Sequence, residues 1–204
     1  MDNNRALPAL RDLLAAAAPP PFSRPSINCC SGSHGGGGGA VGSGKKAVMV
    51  VGVDESEHSG YALEWTLRHF FAPGQPQRHR LLVVAAKTPA SFVVGAGAGA
   101  GTPELLPKLE ADLKRAAAQA VDKAKRLCSQ VVEDVGYEVF EGDARNVLCD
   151  AVERHHAEML VVGSHGYGAF KRAVLGSVSD YCSHHAHCTV MIVKAPKHNK
   201  GEHV

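Results

Sequence analysis

The chain has 204 residues, 45% apolar and 21% charged, with a net charge of +2 from 22 basic and 20 acidic side chains. That composition supports a packed core and excludes full disorder, and the 22 glycines follow no G-X-Y period, which excludes collagen. There is no run of five basic residues to suggest nucleic acid and no apolar run long enough to cross a bilayer, so neither partner is expected.

The elements are expected in the following order. Residues 1–44 read as a disordered low-complexity arm, with Ala15–Ala18, Pro19–Pro21 and Gly35–Gly39. Within it, Leu7, Leu10 and Leu14 allow a short helix over 5–18. Residues 47–53 are a continuous β-branched run, expected as a buried strand. Ser56 can cap a helix over 57–71, which Pro73-Gly74 stops. A second buried strand is expected at 81–86, then a flexible loop at 87–103 that contains the Gly/Ala tract of 95–101. A helix follows over 103–134, because Leu109, Leu113, Ala116, Ala117, Ala120, Ala124, Leu127, Cys128 and Val131 keep an i, i+3/i+4 stripe. Gly136 is expected to end it. A strand at 137–141, a helix at 144–156 capped by Asp143, a strand at 159–162, a helix at 177–186 and a strand at Thr189–Val193 complete the domain of 45–195. Residues 196–204 form a tail.

Strands that are apolar on both faces and alternate with helices specify an α/β fold, a doubly wound five-stranded parallel sheet in three α/β/α layers. Such sheets bind ligands outside the carboxyl ends of their strands. Those ends are Asp54, 86–88, Gly142-Asp143 and the chain from Gly163 onward. There the chain reads Gly163-Ser164-His165-Gly166-Tyr167-Gly168, then Gly176-Ser177, a G-x2-G-x9-G-S spacing. Gly163 and Gly166 permit close backbone approach, and a helix opening at Gly176-Ser177 offers free N–H groups and a hydroxyl to phosphate oxygens. Lys171 and Arg172, between them, can add positive charge. There is no Walker A motif, and no GxGxxG follows the first strand.

Over residues 45–194 the chain resembles the universal stress protein family in its nucleotide-binding form. The resemblance rests on Val51-Gly52-Val53-Asp54 with Ser56 and Ser59, Ala62-Leu63-Glu64-Trp65, Gly163-Ser164-His165-Gly166, Gly176-Ser177-Val178 and the closing Val190-Met191-Ile192-Val193-Lys194. Trp65 and Asp54-Glu55-Ser56 look similar to plant members. The resemblance implies an adenine nucleotide alpha hydrolase-like fold. It also implies ATP, AMP or another adenine nucleotide, with or without magnesium or manganese, lying across the first and fourth strands. Val53, Asp54, Ala86, Gly163, His165, Gly166, Gly176, Ser177 and Val178 would line that site. Asp54 would sit near the ribose and phosphates, the backbone near Ala86 would meet the adenine, and the glycine loop with Ser177 and Val178 would hold the ribose-phosphate. A homodimer through Thr189–Val193 is implied as well. Ala85-Ala86-Lys87 departs from the family in being smaller than its usual residues there.

His165 has no evident nucleophile beside it, so no catalytic residue is assigned, and a structural or nucleotide-contacting role is expected of it. Cys182, His184, His185, His187 and Cys188 suggest a metal cluster, but residues at such spacing on a helix do not face one point, and no metal site is expected. The six cysteines include no CxxC pair, and no secretory signal is recognised, so reduced thiols and a cytoplasmic place are expected, with nucleus and organelle open. The expected function is nucleotide-dependent binding or regulation in the stress response. The alternatives are a slow ATPase in the same pocket and a nucleotide-independent chaperone or scaffold.

Overall fold

A computed structural model describes residues 46–95, 105–166 and 175–196. Among the described residues five strands and five helices follow in the order β1 (Ala47–Val53), α1 (Glu57–Phe70), β2 (His79–Lys87), α2 (Ala90–Gly95), α3 (Leu105–Cys128), β3 (Val135–Glu141), α4 (Ala144–His155), β4 (Met159–Gly163), α5 (Ser177–His185) and β5 (Thr189–Val193). The strands form one parallel sheet in the order β3-β2-β1-β4-β5.

The two faces of the sheet divide the residues of β1 by parity. Met49, Val51 and Val53 pack with Ala62, Leu63 and Leu67 of α1 and Ala120, Val121 and Ala124 of α3. Val50 packs on the other side with Val147, Leu148, Ala151 and Val152 of α4 and Cys182 of α5. This is why the strand is apolar throughout: both of its faces are interior. Leu63 and Leu67 are at most 1% exposed. Cutting either to alanine would cost roughly 2–5 kcal/mol.

Local chemistry sets the helix ends. The Ser56 hydroxyl accepts from the N–H of Ser59 at 3.1 Å and caps α1. Gly74, with φ of +83°, makes the turn into β2 after Pro73. Asp143 caps α4 by accepting from the N–H of Arg145 at 2.9 Å.

Three expectations need correction. The third helix ends at Cys128 rather than 134, although Val131 and Val132 continue its apolar stripe. Val132 is 5% exposed, so it is the chain turning toward β3, and not another helical turn, that buries it. Gly136 is not a helix stop. It lies inside β3 opposite Leu82, where a Cβ would stand 2.8 Å from the leucine Cδ1. The segment expected as loop over 87–103 begins with ordered structure, since β2 runs through Lys87 and α2 occupies Ala90–Gly95. The arm with its helix at 5–18, the tract after Gly95, the tail after 196, and Lys171 and Arg172 lie outside the described residues.

Candidate functional site

With β2 on one side of β1 and β4 on the other, the chain switches direction across the sheet at β1. The carboxyl ends of β1 and β4 therefore flank a crevice, the place where such sheets bind ligands. A cavity of about 840 Å³ opens there. All nine residues expected at the site line it: Val53, Asp54, Ala86, Gly163, His165, Gly166, Gly176, Ser177 and Val178. Gly142 and Asp143 do not. Asp143 is held instead by Arg145, whose Nε and Nη2 donate to its two oxygens at 2.9 and 2.6 Å. That hydrogen-bonded guanidinium pulls the Asp143 carboxyl below its usual range.

The polar end of the cavity is wired tightly. Asp54 Oδ1 accepts from the Ser56 N–H at 2.9 Å and from the Ser56 hydroxyl. The Ser59 hydroxyl accepts from the Asp54 N–H at 3.1 Å and donates to the Asp54 carbonyl at 2.9 Å. Asp54 is thus both a turn residue and part of the cavity wall. Its Oδ2 faces Gly166, where a Cβ would lie 2.9 Å away.

The glycine loop is tied to the sheet and to α5 through serines that the spacing argument passed over. Ser164, 2% exposed, donates its N–H to Val193 at 2.9 Å and accepts from the Gly176 N–H at 2.8 Å. The Ser179 hydroxyl donates to the Ser164 and Gly176 carbonyls at 3.2 and 3.0 Å. The signal was present in Gly176-Ser177-Val178-Ser179: a second serine within the first helical turn can bond back to the loop. Gly176 is the N-cap of α5 and brings no side chain to cap it. The first turn, with Ser177 and Val178, therefore presents its N–H groups and positive dipole end at the cavity.

Gly163 lines the cavity and has a packing reason of its own as well. A Cβ there would come within 2.8 Å of the His58 carbonyl carbon and 2.9 Å of the Ser59 nitrogen, so this glycine lets β4 pack under the start of α1. His165 Nδ1 lies 3.1 Å from the Ser164 hydroxyl, and its ring sits 5.3 Å from that of His58. Ser164 is too buried to meet a substrate, so this pair is not a nucleophile with its base.

The other end of the cavity is apolar. Val84, Ala85 and Ala86 floor it, Val93 of α2 and Leu113, Ala116, Ala117 and Ala120 of α3 wall one side, and Ala144 and Leu148 of α4 wall the other. The α3 residues read in sequence as core only. The signal that could have separated them is their size, since alanine recurs where a core stripe would carry leucine or valine.

The Cys182–Cys188 segment builds no metal site: no group of three or more His, Cys, Asp or Glu among the described residues could hold an ion. His184 and His185 spend Nδ1 on the carbonyls of Asp180 and Tyr181, at 2.8 and 2.9 Å. Burial pushes the Cys182 thiol up to about 12 and that of Cys128 to about 11. Cys128, Cys149, Cys182 and Cys188 are free thiols. Among the described residues no helix is long and apolar enough to cross a membrane.

Comparison with known proteins agrees with this architecture. Residues 47–194 match the universal stress protein family. The universal stress protein PHOS34 of Arabidopsis thaliana is 32% identical over 176 residues, a match covering 78% of this chain and 66% of the relative, just under two thirds of its length. Among solved structures, a universal stress protein family protein from Arabidopsis thaliana with AMP bound aligns with a TM-score of 0.54 at 22% identity, over 74% of this chain and 92% of its own. The universal stress protein UspA from Lactobacillus plantarum aligns at 0.56 and 21% identity, over 74% and 99%. The fold is thus adenine nucleotide alpha hydrolase-like, and the chain belongs to the universal stress protein family, in its UspA-like, plant-type branch.

Proposed function

We propose that the protein binds an adenine nucleotide in the cavity between β1 and β4 and acts in the stress response as a nucleotide-dependent binding or regulatory module. The observation that carries this reading is the meeting of two unlike surfaces in one cavity: a helix start without a side-chain cap beside Asp54, and an apolar slot between α3 and α4. A volume of 840 Å³ lies within the range of ligand pockets, about 300–1,000 Å³. Ser177, Val178 and the Gly163–Gly166 turn would hold phosphate oxygens, Asp54 the ribose hydroxyls, and the slot beside Ala86 the planar base. The AMP bound by the Arabidopsis structural neighbour is a ligand of this size and chemistry.

Binding is favoured over turnover because two of the lining groups that could activate water are engaged: Asp54 Oδ1 by Ser56, and His165 Nδ1 by Ser164. Among the described residues no group of three or more His, Cys, Asp or Glu is placed to hold a resident metal. Magnesium or manganese would enter on the phosphates of ATP. β5 is the edge of the sheet next to β4, with Val190, Met191 and Ile192 half-buried, and a second copy pairing there would cover it. A cytoplasmic place suits the free thiols.

The test is titration calorimetry of AMP and ATP against the protein and its Gly166→Val variant. The branched side chain would displace the Asp54 carboxylate, so affinity should fall at least about tenfold, with the circular dichroism spectrum unchanged. Unchanged affinity in the variant would remove this site. Phosphate release from ATP at a steady rate would favour the slow ATPase, and full holdase activity without nucleotide would favour the chaperone.

A further inference from the structure

Three helices wall the apolar end of the cavity, and the bonds beside them gather around one residue, through its side chain for α2 and α3 and its main chain for α4. Lys87 is the last residue of β2, between Ala86 and Thr88 of the cavity wall. Its side chain is only 15% exposed and binds two carboxylates, Glu110 of α3 and, at 3.0 Å, Glu141 at the end of β3. The second oxygen of Glu110 accepts from the N–H of Ala90, the first residue of α2, at 3.4 Å. The Lys87 carbonyl accepts from the Gly142 N–H at 3.0 Å, just ahead of the start of α4.

Each anchor lies two or three residues before a wall residue: Ala90 before Val93, Glu110 before Leu113, Gly142 before Ala144. One helical turn separates the first two pairs, so an anchor and its wall residue move together. Without the ammonium, Glu110 and Glu141 would face each other as like charges, and α3 would be pushed outward. We propose that Lys87 is a positioning residue that sets the width of the apolar slot and thereby the affinity of the site for the base of its ligand. This rests on the adenine-nucleotide reading and adds to it the residue that shapes the base end. The hydrogen bonds that Lys87 donates, to Glu110 first and Glu141 second, raise its own pKa, and the first of them lowers the Glu110 carboxyl, so the anchor stays charged at neutral pH.

The experiment compares wild type with Lys87→Met, Lys87→Arg and Glu110→Gln, by AMP calorimetry and by hydrogen exchange of the ligand-free proteins. Lys87→Met should bind AMP roughly fivefold or more weakly, and amides of 90–95 and 105–113 should exchange faster while β1 and β4 keep their protection. Lys87→Arg should restore both. Glu110→Gln, at an outward-facing carboxylate, should reproduce the loss even if Lys87→Met folds poorly. AMP affinity within twofold of wild type in both charge-removing variants would overturn the proposal, as would exchange that rises evenly over the sheet. If wild type binds no AMP while exchange still rises locally in Lys87→Met, the nucleotide reading falls and the anchoring of the wall stands.

Discussion

The two ends of the cavity are built on opposite plans. At the polar end, around Asp54, Gly166 and the start of α5, backbone groups and serines bond one another within a few residues of each strand end. At the apolar end, between α3 and α4, the wall is made largely of small side chains, and one lysine of β2 ties α3 to the end of β3. The first is held in place by hydrogen bonds among serine hydroxyls, the Asp54 carboxylate and backbone groups. The second is held by packing and by an ion pair that bridges 23 and 54 positions of sequence. A site of this kind would fix the charged part of a ligand by geometry and leave the shape of the other part adjustable.

That contrast can be broken or sharpened by substitution. The largest effect is expected at Gly163→Ala, which pushes a Cβ into the backbone of His58 and Ser59. It should cost about 2 kcal/mol or more in urea unfolding, because the neighbours are backbone and cannot swing away. A variant as stable as wild type would mean that β4 and α1 are looser than they are described. Gly166→Val comes next: its affinity loss should exceed its stability loss, which is what separates a glycine serving the site from one serving the fold. At the apolar end, Ala116→Leu adds three carbons to a half-buried wall position. AMP should weaken by roughly tenfold while inorganic pyrophosphate competes as well as before, since only the base end is filled. Equal loss for both ligands would show that the two ends do not act separately.

The smallest effect is a pH effect at the start of α4. Folding depresses the Asp143 carboxyl pKa, chiefly through the hydrogen-bonded Arg145. Its stabilisation is therefore complete above the unfolded value of about 3.9 and disappears as pH falls through the lower folded value. Asp143→Asn should be slightly less stable than wild type at pH 7, and the difference should shrink below about pH 4. A difference that is constant with pH would assign the role of Asp143 to capping alone.

The polar end was legible in the sequence, and the apolar end was not. Glycines at fixed spacing after an apolar run, and an aspartate closing another, have few structural uses, so Asp54, Gly163, Gly166 and Gly176 stood out. Even there a second reason was hidden, because Gly163 also yields to the backbone of α1. Ala116, Ala117 and Ala120 obey the same periodicity whether they face a core or a cavity, so the stripe alone could not separate the two. The inner strands β1, β2 and β4 were legible because apolar runs buried on both faces resemble little else. The end of α3 was not, because Val131 and Val132 keep the helical pattern after the helix has stopped. Gly136 was misread for a related reason: a glycine after a helix usually ends it, and only its opposition to Leu82 shows why none larger fits.

The sheet has two unlike outer strands. β5 carries Thr189-Val190-Met191-Ile192-Val193 without a charge, whereas β3 carries Glu138, bonded to His155 at 3.0 Å, and Glu141, bonded to Lys87. Charged side chains on an edge strand disfavour pairing with a further copy, while an uncharged edge admits it. Pairing through β5 would leave only acidic β3 strands facing outward, and assembly would stop at two chains. The same asymmetry that makes association possible would keep it from running on into a fibre.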